Sequence, residues 1–323
     1  MSVTVHSRIV DLDDLIPRVV DMEQEENDVT ALIPWIFKHS DTATESNIMT
    51  WPNDEVRMSS FFDEYTSYCS GFKAWRTTTD AGRRFKDPPL QASETITLPR
   101  KSWDVPDSRE YGESGRWEFG SYVREQGRIL QCLLSSTSRD LLSVLRRVQG
   151  LGVKGHRFKM SYVIGGKRYG TRVEGALSVG PPGTYLPIIS FTFWFEGQTW
   201  NEFLVETISV MLGQLAKNLG ARDGVSGSRD QEVYVVGFHG LHLHIVRGYF
   251  AANVVSRVYS KGFSENETFE LNFSRGYNLS LKEDWLAASR GLTRLFRYFM
   301  SGSAKIGVLQ AQFSDKQPNE AVV

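Results

Sequence analysis

The chain has 323 residues, is 41% hydrophobic and 23% charged, and carries a formal net charge of −1. These values exclude a disordered, collagenous or coiled-coil chain and indicate one large globular domain, or one domain with an appendage. Two cysteines, Cys69 and Cys132, are too few for a disulfide scaffold or a zinc ribbon. No stretch approaches the ~18 apolar residues of a membrane span, and no apolar run follows basic residues at the N-terminus. An intracellular location, in cytoplasm or nucleus and away from membranes, is therefore expected. The Asn-X-Ser/Thr triplets at Asn266, Asn272 and Asn278 are accordingly read as structural.

Charge is unevenly spread along the chain. Residues 1–30 hold eight acids against two arginines, a net −6. Residues 139–174 hold nine bases against two acids, a net +7. Such asymmetry points either to an anionic partner or to an acidic segment that shields a basic surface, against the bland alternative of two solvated faces.

Taken in chain order, residues 1–115 read as an irregular, partly helical region. Its part from 76 onward is rich in turn residues, with Pro88, Pro89, Pro99 and Pro106. Residues 119–149 carry apolar side chains at helical spacing. The run Ser135-Ser136-Thr137-Ser138 suggests a break between two helices there. The period then changes to that of strands, at 157–164 and 169–179, joined at Gly165-Gly166. The nearly all-apolar segment 187–195 reads as a central strand buried on both faces.

Thr199-Trp-Asn-Glu202 is a capping box opening a helix whose stripe runs through Trp200, Phe203, Leu204, Ile208, Met211, Leu212, Leu215 and Leu219. Segments 232–238 and 241–249 are two more strands. A second capping box, Ser280 to Glu283, opens a last helix with Trp285, Ala288, Leu292, Leu295, Phe296 and Phe299 on one face. The expectation is a mixed α/β domain over residues 116–312, its mixed sheet covered by helices on both faces, followed by a disordered tail at 313–323.

This order, α-β-β-β-α-β, resembles the core plan of the PD-(D/E)XK nuclease superfamily. The stretch 232–250, following a helix that contains Gln214, is similar to nuclease-like domains of large fungal protein families. The resemblance covers roughly residues 119–300 and is one of layout. It implies an acid on the second strand and an acid-X-lysine on the third, together holding a divalent metal that activates water at a phosphodiester. Carried onto this chain, the second-strand acid falls on Glu174. The third strand, Ser190-Phe-Thr192-Phe-Trp194-Phe, has neither acid nor lysine. The nearest substitute is Glu196-Gly-Gln198, with glutamine where the lysine stands, an accepted variant in that superfamily. Glu174, Glu196 and Gln198 are the candidate catalytic residues, and Glu174 and Glu196 the candidate ligands of Mg2+ in an active enzyme. The bland alternative makes Glu174 part of a solvent-facing row and Glu196 part of a turn before the helix.

The basic run supplies Arg146, Arg147, Lys154 and Arg157 as candidate contacts to a DNA or RNA backbone. Arg290 and Arg294, with Arg297 on one stripe of the last helix, are candidates for the same groove. His239, His242 and His244 form the single histidine cluster; residues 242 and 244 share a strand face, but zinc needs a third ligand and neither cysteine is close in sequence. Walker, dinucleotide-binding, nucleophile-elbow and HExxH motifs are missing from the sequence. Three functions follow from these readings: a nucleic-acid-binding pseudo-nuclease, an active Mg-dependent nuclease using Glu174 and Glu196, and an unrelated enzyme of fungal small-molecule biosynthesis reusing the fold.

Overall fold

A computed structural model of the chain describes residues 2–78, 91–98, 112–141, 152–154, 158–180, 185–194, 198–220 and 229–314. The strands are β1 (Ser2–Ile9), β2 (Gln91–Thr97), β3 (Gly152–Lys154), β4 (Phe158–Ile164), β5 (Lys167–Val173), β6 (Ala176–Val179), β7 (Leu186–Thr192), β8 (Gln231–His239), β9 (His242–Phe250), β10 (Thr268–Phe273) and β11 (Tyr277–Asn278). The helices are α1 (Leu12–Leu15), α2 (Met22–Ala31), α3 (Trp35–His39), α4 (Glu45–Met49), α5 (Ser59–Thr78), α6 (Gly112–Asp140), α7 (Trp200–Gly220), α8 (Ala252–Lys261), α9 (Lys282–Met300) and α10 (Gly307–Ser314).

A mixed sheet in the order β2-β1-β10-β9-β8-β7-β6-β3 forms the centre, with β11 added to β9. Two of its pairs are parallel, β1 with β10 and β7 with β8; the others are antiparallel. The parallel step from β7 to β8 runs through α7, as the sequence pattern predicts. Both sheet faces are covered. Core residues of β7, β8 and β9 such as Phe191, Tyr234, Phe238 and Ile245 meet α5, α6 and α9, whereas Val233, Val235 and Val246 meet α7. The boundary expected at residue 115 runs through this one sheet, because β1 and β2 precede it and pair along seven register positions.

Several local expectations give way to the structure. The serines and threonine at 135–138 do not break a helix: α6 continues through them to Asp140. The Thr137 hydroxyl donates to the Leu133 carbonyl at 2.8 Å and the Ser138 hydroxyl to Ser135 at 3.0 Å, so these side chains satisfy themselves inside the helix rather than cap one. The long strand expected at 169–179 splits at Glu174-Gly175 into β5 and β6. Consequently β4 and β5 form a separate two-stranded sheet, and the short β3, pairing with β6, takes the edge of the main sheet instead. The second capping box does not form either. Leu281 is the N-cap without a side-chain bond, and the Ser280 hydroxyl donates to Asn278 Oδ1 at 2.7 Å. Residues 313 and 314, expected in the tail, close α10. The strands β1 and β2, in the region expected to be irregular and partly helical, and β3, β10, β11, α8 and α10 answer to no element predicted from the sequence.

The first capping box is realised: Thr199 N donates to Glu202 Oε2 at 2.9 Å and Glu202 N to Thr199 Oγ1 at 3.3 Å. Beyond it, α7 is buried without interruption from Phe203 to Leu215, more than its apolar stripe requires. A helix buried all round must be covered on two sides, and the second cover is the β4–β5 hairpin. Its turn, Gly165-Gly166, has φ of 56° and 75°, the left-handed pair that a tight two-residue hairpin turn needs. At Gly213 of α7 an added Cβ would lie 2.5 Å from Thr171 Cγ2 and 3.0 Å from Met160 Cβ, so glycine lets the hairpin lie directly on the helix. Ile208, fully buried between the two layers, reports on this packing. Ile208→Ala is expected to cost ~2–5 kcal/mol in urea denaturation; an unchanged midpoint would contradict burial on both sides.

Candidate functional site

The region named by the sequence lies where β7 leaves the sheet. Glu174 ends the hairpin, and the ladder to β7 still reaches Gly175, whose carbonyl accepts from Phe191 N at 3.1 Å. The Glu174 side chain is 14% exposed, with Arg172 Nε 3.9 Å from its carboxylate. A Cβ added at Gly127 of α6 would be 3.3 Å from Glu174 Cβ and 3.8 Å from the Phe193 ring, so Glu174 starts against α6. It is therefore not part of a freely solvated row.

Ser190 and Thr192 of β7 point the other way, toward α7. Their hydroxyls are buried and meet no hydrogen-bond partner among the described residues. The backbone after β7 is held by Gln126 of α6. Gln126 Nε2 donates to Trp194 O at 2.7 Å, and Trp194 N donates to Gln126 Oε1 at 3.1 Å. This clamp was not singled out from the sequence; its only signal was a glutamine inside the apolar stripe of α6. Gln198 is buried at 7% exposure just before α7. Glu196, Arg146, Arg147 and Arg157 lie outside the described residues, and Lys154 is described only as backbone, paired with Ala176. The approach of Glu174 to Glu196 thus falls outside the described part of the site. A magnesium ion of the kind the resemblance implies would meet one described carboxylate at this rim, Glu174, and no acid in the Ser190–Thr192 row. The described residues alone do not make up its ligand set.

The histidines sit at the same end of the sheet, on the α7 face. His239 is enclosed by Trp194, Trp200 and Phe203, with ring centroids at 5.9, 5.4 and 5.4 Å. His244 Nδ1 is 3.2 Å from the Ser274 carbonyl. Among the described residues no group of three His, Cys, Asp or Glu side chains is arranged to hold a metal ion. Burial depresses the His239 pKa from 6.5 to about 3 and that of His244 to about 4. Both rings are therefore neutral packing groups at physiological pH.

The sign of the pH effect follows directly. Below pH 6.5 the unfolded chain takes up protons on both rings, while the folded chain resists until about pH 4 and 3. The stability these neutral rings contribute is complete above pH 6.5 and is lost as pH falls from there, by about 2 kcal/mol per ring at pH 5. Urea denaturation at pH 7.5 and 5.0 measures it. The loss should shrink by about 4 kcal/mol in the double variant His239→Gln/His244→Gln; an identical pH dependence in that variant would refute the assignment.

Arg290 and Arg294 are engaged within the chain. Arg294, 2% exposed, donates through Nε and Nη2 to the two Glu25 oxygens at 3.0 and 2.6 Å and also pairs with Asp13. The Arg294 hydrogen bond is the leading cause that holds the Asp13 carboxyl below its usual range. Arg290 meets Glu26 at 2.7 Å, and Arg297 meets Asp28 at 2.7 Å. The acidic N-terminal block therefore neutralises the arginine stripe of α9. As placed, Arg294 offers no group to a phosphate backbone, and the expected groove does not include it. Arg294→Ala should cost about 3 kcal/mol, because it removes the two shortest bonds to the buried Glu25 carboxylate and leaves it only the longer pairs with Arg18 at 3.5 Å and Arg290 at 3.6 Å. Arg290→Ala, at a third-exposed position, should cost ~1 kcal/mol or less. Equal effects in paired denaturation curves would refute this contrast.

Basic side chains of the described residues remain exposed on the hairpin. Strand alternation puts Lys159, Arg168 and Arg172 on the face turned away from α7, and Lys167 stands at the turn. Lys159 and Arg172 are direct cross-strand partners. These residues belong to the basic run at 139–174 but are not among the candidate contacts taken from it; period-2 alternation within the hairpin is the signal that would have picked them out. No family model matches the chain, and no curated protein matches it in sequence.

Proposed function

We propose that this protein binds nucleic acid as a nuclease-like scaffold without turnover, and that the hairpin's outer face is its principal contact. One observation carries the reading: Lys159 and Arg172 stand directly opposite each other on an exposed strand pair, with Arg168 and Lys167 beside them. Like charges at opposed positions destabilise a sheet. Glu174, at 3.9 Å from Arg172 and at the end of the hairpin, is a single acid against four bases. A polyanion resolves that repulsion through contacts to successive phosphates.

The scaffold supports the same reading. Strands β3, β6, β7, β8 and β9 are adjacent in sheet order, α6 precedes them, and α7 joins the parallel pair β7 and β8. With the β4–β5 hairpin set aside as an insert and β9 as an added strand, this order supports the α-β-β-β-α-β resemblance, β3 taking the place in the sheet of the first expected strand. Where the resemblance implies an acid on the third strand, β7 has buried hydroxyls. A basic face beside a rim with one described carboxylate supports binding over cleavage.

Fluorescence anisotropy with labelled single- and double-stranded DNA and RNA, from 50 to 300 mM salt, tests the proposal. Affinity should fall steeply with salt and by at least tenfold in Lys159→Glu/Arg172→Glu, alike for all sequences. Magnesium should produce no cleavage. Cleavage that is lost in Glu174→Gln would replace this reading with the active nuclease. Binding indifferent to salt and to the double variant would overturn it.

A further inference from the structure

We infer that the cavity between α7, α8 and the hairpin is a binding site for a small amphiphile, an apolar body with an anionic head. The cavity has a volume of about 800 Å3, within the range of small-molecule sites, roughly 300–1,000 Å3. Its walls are hydrocarbon: Leu215 and Leu219 from α7, Val163 from β4, and Val254, Val255 and Val258 from α8. Helix α8 turns this valine face inward and is tied to the hairpin turn by Gly165 N to Val258 O at 2.9 Å and Gly166 N to Tyr259 O at 3.0 Å. Yet Val254 and Val255 remain partly exposed although they pack against the core. Apolar side chains that border a void lack dispersion partners on that side. An occupant with a hydrocarbon body supplies them.

The charge of the lining selects the head. Arg168 of β5 and Lys217 of α7 both line the cavity and both are exposed, and the described lining residues include no aspartate or glutamate. Among the described residues neither cation forms an ion pair. Two uncompensated cations beside a hydrocarbon wall complement a carboxylate or phosphate joined to an apolar chain, with charge-assisted hydrogen bonds at the head. Arg168 stands at the edge shared with the hairpin's basic face, but a polynucleotide has no use for the valine wall. Lys217, on α7, tests it apart from the hairpin's basic face.

The probes are dodecanoate and the uncharged dodecanol, measured by titration calorimetry and thermal shift on the full chain. Dodecanoate should bind saturably with one site and raise the melting temperature. Val255→Trp and Ala216→Trp each fill the cavity from a partly exposed wall position. Each should weaken dodecanoate at least tenfold, with an unchanged circular dichroism spectrum; two independent positions guard against one that fails to fold. Lys217→Glu should weaken dodecanoate at least fivefold and dodecanol less than twofold. Absence of saturable binding by either probe overturns the inference. So does binding untouched by both tryptophans, or a Lys217→Glu variant that weakens the two probes alike.

Discussion

The structure on the β6–β8 side of the sheet depends on burying α7 from two directions. The main sheet covers one side of the helix and the hairpin covers the other, in contact at Gly213. Polar side chains on such a helix need internal partners, since burying an amide without one costs free energy. Gln214 Nε2 donates to the Ile188 carbonyl and Asn218 Nδ2 to the Pro187 carbonyl, each at 2.9 Å. These bonds also fix α7 against the start of β7. The hairpin spends its inner face, Met160, Tyr162 and Val173, on this packing. Its outer face carries no core duty, and there the bases stand.

Charge distribution follows the same division between groups used inside and groups left outside. The acidic block at the N-terminus lies along α9, where Glu25, Glu26 and Asp28 each meet an arginine. A buried ion pair contributes little net stability, because desolvation offsets attraction, but losing one partner is costly. The pairs therefore set where α2 docks on α9. Once they are made, four of the block's eight acids, Asp13, Glu25, Glu26 and Asp28, are paired with arginines, whereas among the described residues of the hairpin only Arg172 has an acid partner, Glu174 at 3.9 Å. A chain with a net charge of −1 can thereby present a strongly basic local surface.

What was legible in the sequence is what periodicity and length decide. The stripes of α7 and α9 and the strands β8 and β9 stand close to where spacing puts them, since each is long enough for its period to be unambiguous. The misreadings share a cause: short polar residues that satisfy themselves locally. Thr137 and Ser138 bond back into α6, and Ser280 bonds Asn278, so neither segment ends or opens a helix as a cap would. The break at Glu174-Gly175 was invisible because the hydrophobic alternation of β5 runs on into β6. At the site, Glu174 stands just before β6, and its packing against Gly127 depends on α6, more than forty residues away, so no local pattern records it. The pairing of Arg294 with Glu25 spans 269 residues and was equally hidden.

The end of β7 shows why a basic face without a carboxylate row is physically self-consistent. Ser190 and Thr192 are 0% and 1% exposed. A carboxylate at either position would be buried where β7 pairs with β8, Ser190 opposite Val235 and Thr192 opposite Gly237. An isolated buried anion is severely penalised and would protonate or force the strand apart unless a cation compensated it. Serine and threonine avoid that cost at the same positions while keeping the strand's β-branched and small packing. Gln126 then completes the arrangement by meeting both backbone groups of Trp194 with a neutral amide, where a charged partner would again be buried alone. Neutral groups thus lie along β7 and positive groups on the outer face of β4 and β5, packing inside and charge outside, and the hairpin is the element that separates them.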